Sequence, residues 1–224
     1  MKRKNVNLTF DRPSKEIIEK FRNLPTATVH EALGRKGAVD SGIKPIFSGM
    51  ALCGPALTIM SPVGDNITLH KAISVACPGD VLVANAGGYK EAGVWGEVVS
   101  LAAKVKGIEG LVTDGCVRDA LRIKELGFPV FASGLSIKGT VKETLGFIGY
   151  SISFGGITVH PGDIVLGDDD GVVFVPKEEL QEVLALALER EKKEEGIMRK
   201  IREGKSTMDL FGFDSLLKQK GFLE

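Results

Sequence analysis

The chain has no excess of either charge. Lys and Arg together number 29, as do Asp and Glu, so no overall field recruits nucleic acid or an anionic membrane, and neither is expected as a partner. Cysteine is scarce. Cys53, Cys77 and Cys116 have neither the even count of a disulfide framework nor the C-x-x-C spacing of a zinc site, and they read as small core residues. Cys116 stands two residues before Arg118, where a cation lowers a thiol pKa. No apolar run is long enough to span a bilayer. The basic start, MKRKNVNLTFDRPSKE, lacks the apolar segment of a signal peptide. A cytoplasmic location is therefore the expectation. No Gly-rich dinucleotide-type loop follows a strand, which disfavours a nucleotide-cofactor or methyltransferase reading.

The 224 residues, 43% hydrophobic and 26% charged, suffice for one globular α/β domain over residues 1–176 with a helical tail over 177–224. The densest chemistry lies between Gly87 and Asp119. Val94, Val98, Leu101, Ala102 and Val105 recur at helical spacing, which predicts a helix from near Gly93 to a left-handed cap at Gly107. Glycines 87, 88, 93 and 96 leave N–H groups at its start open to an anion, with Glu97 in the first turn. Leu111-Val112-Thr113 reads as a buried strand. Asp114-Gly115 then turns the chain into Arg118-Asp119 at the head of a second helix, which stops at Gly127. Strand-to-helix edges are where ligands bind in α/β sheets. Acids in first turns are equally ordinary dipole partners, and a lone Arg118 is equally a surface cation.

Elsewhere, Ser14 to Asn23 reads as an amphipathic helix with Ile17, Ile18 and Phe21 inward. Thr28 and Glu31 fit a capping box that opens a helix closed by Gly34. His30 and Glu31, adjacent on a helix, do not face one another, which disfavours an acid-base or metal pair. Ala56–Met60 is a strand and Asn66–Ala76 a helix; His70 within it reads as a packed or surface residue. Pro78-Gly79-Asp80 and Pro161-Gly162-Asp163 are matching turns, each releasing a buried strand, with the Asp satisfying turn N–H groups. Gly155–Val159 reads as a strand. Asp168-Asp169-Asp170-Gly171 lacks the alternating acids and distal Glu of a calcium loop and predicts a tight hairpin. From Pro176 a charged helix carries Leu180, Val183, Leu184 and Ala187 as its stripe. Beyond Arg190 only Ile197, Met198 and Ile201 remain, so this part either crosses another subunit or is solvated with internal ion pairs.

Gly96-Glu97 followed after twenty residues by Arg118-Asp119, with Thr113-Asp114-Gly115 before the pair and Pro129-Val130-Phe131 after it, resembles the RraA-like family over about Thr28 to Val175. That family includes class II 4-hydroxy-4-methyl-2-oxoglutarate aldolases and protein regulators of ribonuclease activity. The resemblance implies a layered α/β/α sandwich with mixed sheets of the swivelling-domain type, assembled as a homotrimer or a hexamer. It implies a divalent metal, Mg²⁺ or Mn²⁺, held by Asp119 and mostly water. It also implies a 2-oxo acid held by Arg118 and the backbone at Gly96, Val98 and Val99, and cleaved to pyruvate, with oxaloacetate decarboxylation as a companion activity. Glu97, where the family commonly has aspartate, is the implied acid acting through water, and Glu195, or else Glu194, reaches the site from a neighbouring chain. A Schiff-base mechanism finds no support, because Lys90, Lys104 and Lys106 sit among polar neighbours. The alternative is a non-catalytic regulator, although such compact proteins generally lack a tail like Glu178–Glu224.

Overall fold

The computed structural model describes residues 3–222; Met1, Lys2, Leu223 and Glu224, the outer ends of the two expected segments, lie outside them. In chain order the first half comprises α1 (Lys15–Arg22), α2 (Thr26–Ala32), β1 (Lys44–Pro45), β2 (Leu52–Met60), α3 (Ile67–Val75), β3 (Val81–Asn85) and α4 (Glu97–Val105). Next come β4 (Gly110–Thr113), β5 (Cys116–Val117), α5 (Ala120–Leu126), β6 (Val130–Ala132), β7 (Gly134–Leu135) and β8 (Phe147–Ile148). The chain closes with β9 (Ile152–Phe154), β10 (Ile157–Val159), β11 (Ile164–Asp168), β12 (Gly171–Val175), α6 (Leu180–Arg202), α7 (Thr207–Phe211) and α8 (Phe213–Gln219).

The main sheet has eight strands in the order β1-β6-β4-β3-β2-β11-β12, with β8 also on β2. The run β2, β3, β4 and β6 is parallel, and β1, β8, β11 and β12 join it antiparallel. The two edges approach one another: Lys44 on β1 donates to the Asp170 carbonyl beside β12 at 2.6 Å, so the sheet is nearly closed. Side chains alternate across it as the pleat requires. Val81, Val83, Val112, Phe131, Val165 and Phe174 point inward, where the β9–β10 hairpin adds Ile152, Phe154 and Val159. Leu57, Leu82, Leu111 and Val130 face outward under α3, α4 and α5. Cys53, Ile164, Leu166 and Val173 face outward on the other side, under α1, α2 and α6. This is the mixed α/β layering expected from the sequence.

Several local readings are borne out. Ser14 caps α1 by accepting the Ile17 N–H, and Ile17 and Phe21 are buried. Gly107 and Gly127 are left-handed beyond α4 and α5. Asp168 pairs with Gly171 across the predicted hairpin. Asp80 and Asp163 accept N–H groups of their own turns, those of Cys77 and His160; Asp80 also takes two hydrogen bonds from Arg12, at 2.6 and 2.9 Å, which the sequence did not suggest.

Others need correction. The helix expected from Gly93 starts at Glu97, because residues 93–95 are extended and bonded to β5 and to the segment after β7. Its buried face is Val99, Ser100 and Ala103, not the expected stripe: Val98 is 78% and Val105 81% exposed. The Thr28 capping box does not form, because α2 is capped at Pro25, three residues earlier. Thr28 instead donates to Glu191, while Glu31 pairs with Arg35 and Arg190. Gly155-Gly156 is the turn between β9 and β10 rather than part of a strand. Cys77 is exposed, unlike the buried Cys53 and Cys116.

The expected stripe of α6, Leu180, Val183, Leu184 and Ala187, is buried against α1, α2 and the β11–β12 face. The helix therefore leaves the core only near Arg190, although the tail was expected from 177. Burying an aliphatic side chain is worth about 1.5–3 kcal/mol, so losing this stripe approaches the whole stability of a typical domain, about 5–15 kcal/mol. A chain ended after Lys177 is expected to lose its cooperative thermal transition, whereas one ended after Lys192 keeps it within a few degrees. Circular dichroism melts of the two truncations check this; a cooperative melt of the shorter one refutes it.

Candidate active site

Loops leaving the carboxyl ends of the parallel strands β3, β4 and β6 are laced into one platform. The Gly93 N–H donates to the Lys138 carbonyl and the Val94 N–H to that of Cys116, both at 2.9 Å. Arg118 N–H donates to the Trp95 carbonyl and Ser136 N–H to that of Val117, again at 2.9 Å. Beneath the platform Trp95 is buried, stacks on Phe128 with centroids 6.1 Å apart, and donates to the Ser100 hydroxyl at 2.7 Å. A rigid indole thus ties the loops to the first turn of α4.

On this platform Arg118 and Asp119 stand at the head of α5. Asp119 has φ 56° and ψ 33°, a left-handed conformation uncommon for a residue with a Cβ. Its Oδ2 accepts the Glu97 N–H at 3.1 Å and lies 3.6 Å from Arg118 Nε. Gly96 has an extended backbone, φ −156°, so space rather than conformation demands glycine there. A methyl group would collide with Asp119 Oδ2 and come within 3.2 Å of Arg118 Cγ. At Gly93 a methyl would meet Arg118 Cβ at 3.0 Å and the Ser136 carbonyl at 2.5 Å. The glycines singled out in the sequence thus make room for the Arg-Asp pair.

A cavity of about 370 Å³ opens beside the pair, lined by Val117, Arg118, Asp119, Ala120, Leu135, Ser136 and Ile137. Of the expected site residues, Arg118 and Asp119 line it. Gly96 and Glu97 adjoin it through the Asp119 contact, and Glu97 projects its side chain to solvent. The N–H groups of Val98 and Val99 have no acceptor among the described residues. Glu194 and Glu195 are not brought here within one chain: α6 packs on α1 and α2, Glu194 is paired with Arg190 at 2.8 Å, and Glu195 is exposed. Leu135, Ser136 and Ile137 were not anticipated, because a two-residue strand and the loop after it carry no periodicity.

Two nearby groups shift in pKa. Burial pushes the Asp114 carboxyl up, while the N–H groups of Ala86 (2.5 Å) and Gly88 (3.0 Å) pull against it; these bonds fix the glycine loop to the end of β4. Burial also pushes the Cys116 thiol up, opposed by Lys90. Cys116 is thus the small core residue the sequence suggested, and its thiol is not lowered, because burial outweighs the opposing charge of Lys90.

No group of three or more His, Cys, Asp or Glu that could hold a metal exists among the described residues. Asp119 is nevertheless a fitting single ligand: Oδ2 is held in place by the Glu97 N–H, and Oδ1 has no partner among the described residues. One carboxylate beside an open cavity suits a hard cation that keeps several waters, and does not suit zinc.

The profile of the RraA-like family, Aldolase/RraA, matches residues 26–174. A Halalkalibacterium halodurans protein named as a putative 4-hydroxy-4-methyl-2-oxoglutarate aldolase is 37% identical over 188 residues, 84% of this chain and 90% of that protein. Among solved structures, Streptomyces coelicolor RraAS2, described as an unusual member of the RNase ES inhibitor RraA family, aligns with a TM-score of 0.73 and 31% identity. That alignment covers 84% of this chain and 98% of the other. The RNA-processing inhibitor RraA from Thermus thermophilus aligns with a TM-score of 0.63 and 25% identity, over 68% and 92%. No helix among the described residues is long and apolar enough to cross a membrane.

Gly96→Ala is expected to destabilise the protein by about 1–3 kcal/mol, the usual effect of forcing a methyl into filled space. Asp119→Ala on the same chain should recover part of that loss, since the colliding carboxylate is gone. Urea denaturation of both single variants and the double variant gives the coupling. Strictly additive losses would show that the contact does not set the identity of residue 96.

Proposed function

The chain belongs to the RraA-like family, and from that premise we propose that it is a divalent-metal-dependent aldolase, a carbon-carbon lyase that releases pyruvate from a 4-hydroxy-2-oxo acid. The observation that carries this reading is the Arg118–Asp119 pair. A bidentate cation and a strained, prepositioned carboxylate share the rim of one cavity at the carboxyl ends of the parallel strands. The aldolase name borne by the Halalkalibacterium halodurans relative supports it.

Arg118 presents a planar fork that matches the carboxylate of a 2-oxo acid. The unpartnered N–H groups of Val98 and Val99, at the positive end of α4, favour the same anionic end. When bound at Asp119, Mg²⁺ or Mn²⁺ supplies Lewis-acid stabilisation of the developing negative charge. As the bond between C3 and C4 breaks, Arg118 holds the carboxylate end of the resulting pyruvate enolate. Glu97, through a water, is the group assigned to return a proton to C3. Glu195, or Glu194, is assigned to the site of a neighbouring copy in a trimer or hexamer; Glu194 would first have to leave Arg190.

A second reading, a protein-binding regulator of ribonuclease activity, draws on the likeness to the two RraA structures and on the apolar residues Val98, Leu101 and Val105 exposed along α4. Pyruvate release separates the two. The aldolase should lose activity in excess chelator and regain it with Mg²⁺ or Mn²⁺. Arg118→Lys should lose most turnover although the charge is kept, on the order of a hundredfold for a lost charge-stabilising donor, and Asp119→Asn should chiefly raise the metal concentration required. Undiminished turnover in chelator sinks the metal assignment, and no activity on any 2-oxo acid favours the regulator.

The tail assignment has its own test. Ending the chain after Lys192, which spares the core stripe, should strongly reduce turnover. Mixing that truncation with Arg118→Ala chains, once subunit exchange is verified, should restore part of it. A fully active truncation would leave α6 beyond Arg190 as a solvated helix.

A further inference from the structure

The turn that opens α3 is tied to both backbone walls beside Arg118. The Arg118 stem lies against Gly93 and Gly96, and a methyl on Gly139 would stand 4.0 Å from its Nη1, so its guanidinium end approaches the loop over residues 136–146. That loop, between β7 and β8, contains no helix or strand. Asp65 and its neighbours hold it instead. Asp65 Oδ2 accepts the N–H groups of Glu143 at 2.6 Å and Thr144 at 2.8 Å. The Gly64 carbonyl accepts that of Val141 at 3.0 Å, and Thr68 Oγ1 that of Gly146 at 2.9 Å. Asp65 Oδ1 accepts the Ile67 N–H at 2.8 Å, so both oxygens of a carboxylate that is only 1% exposed are engaged by backbone. Asn66, also buried, reaches the opposite wall, where its Nδ2 donates to the Val94 carbonyl at 3.1 Å.

We propose that Asp65 and Asn66 are positioning residues for Arg118, one fixing the loop beside its guanidinium and the other the segment beside its stem. This rests on the aldolase reading for what Arg118 holds, the carboxylate of a 2-oxo acid. A guanidinium grips a carboxylate through two parallel hydrogen bonds, which demands that the fork be aimed in plane. Misplacement by about 1 Å costs about a hundredfold in rate. Asp119 Oδ2 lies 3.6 Å from Arg118 Nε, beyond hydrogen-bond reach, so within the chain the aim is set by packing against the two walls. Asp65 suits its place because an ionised carboxylate only accepts. An amide there would turn a donor toward N–H groups that already point at it.

The test uses the full chain with Mg²⁺. Hydrogen exchange read by mass spectrometry should quicken in residues 136–146 of Asp65→Asn and in residues 93–96 of Asn66→Ala, with the β2–β4 core unchanged. Calorimetry should show pyruvate binding weakened about tenfold or more in each. The two variants release different walls, so either one that keeps its cooperative melt decides the question; Thr68→Val, which frees only the Gly146 N–H, is a third and gentler release. A merely structural role would weaken binding equally whatever residue stands at 118. A flexible ammonium depends less on being aimed, so in an Arg118→Lys background the same substitutions should cost less than about threefold. Equal losses in both backgrounds, unchanged exchange, or unchanged affinity where exchange has quickened overturns the positioning role alone. An unmodified chain that neither binds pyruvate nor releases it from any 2-oxo acid overturns the aldolase reading and this role together.

Discussion

Asp119 is held in a left-handed conformation that most residues with a Cβ avoid and that Asp adopts where its side chain finds local partners. Its Oδ2 fills the space that a side chain at residue 96 would occupy, accepts the Glu97 N–H, and neighbours Arg118 Nε. The Arg118 stem is packed between Gly93 and Gly96. The helix start, the arginine and the carboxylate are thus in mutual contact. Strain stored at such a point usually accompanies function, and it is what sets this pair apart from an ordinary surface ion pair at 3.6 Å.

The fold explains why this unit stands where it does. The strands β2, β3, β4 and β6 run parallel and are largely buried, so the loops that follow them all emerge on one side. Those loops cannot leave their backbone groups unpaired. They satisfy them against each other, through Gly93 with Lys138, Val94 with Cys116, and Ser136 with Val117. Asp114 adds the glycine loop to this lattice and is itself disfavoured as a charge by burial, a local penalty accepted for a fixed loop. The platform is therefore hydrogen-bonded loop to loop although little of it is regular strand, which suits a site that must keep its groups in place before a ligand arrives.

What was legible in the sequence follows from periodicity and turn chemistry. The inward stripe of α6 could be read because polar residues surround it, and Asp168–Gly171 could be read because a two-residue turn needs such residues. The stripe of α4 was misread for a physical reason. Val98, Leu101 and Val105 have helical spacing, but so do the smaller Val99, Ser100 and Ala103, and the smaller set is buried. Spacing alone cannot choose between two faces that both carry apolar groups. Arg118 and Asp119 were legible because of the glycines around them, although what the glycines do, making room rather than only freeing N–H groups, was visible only in the fold. Leu135 and Ile137 were not legible at all: exposed apolar residues in a loop leave no pattern.

The exposed apolar groups connect the remaining features. Beyond Arg190, α6 holds Met198 and Ile201 exposed and buries none of its side chains, and α7 and α8 bring Phe211 and Phe213 together at 5.2 Å with no buried residue in either helix. An isolated helical turn is marginal in water, and an intrahelical pair such as Arg190–Glu194 adds only about 0.3–0.5 kcal/mol. Such a tail gains most of its stability by covering apolar surface elsewhere. The α4 face beside the site offers such surface. If copies of the chain assemble as proposed, one contact would satisfy both faces, and the same contact is what would carry a tail glutamate toward a neighbour's Arg118 and Asp119. Completion of the site and stabilisation of the tail would then be a single physical event, and removing the tail would affect turnover without touching any residue of the cavity.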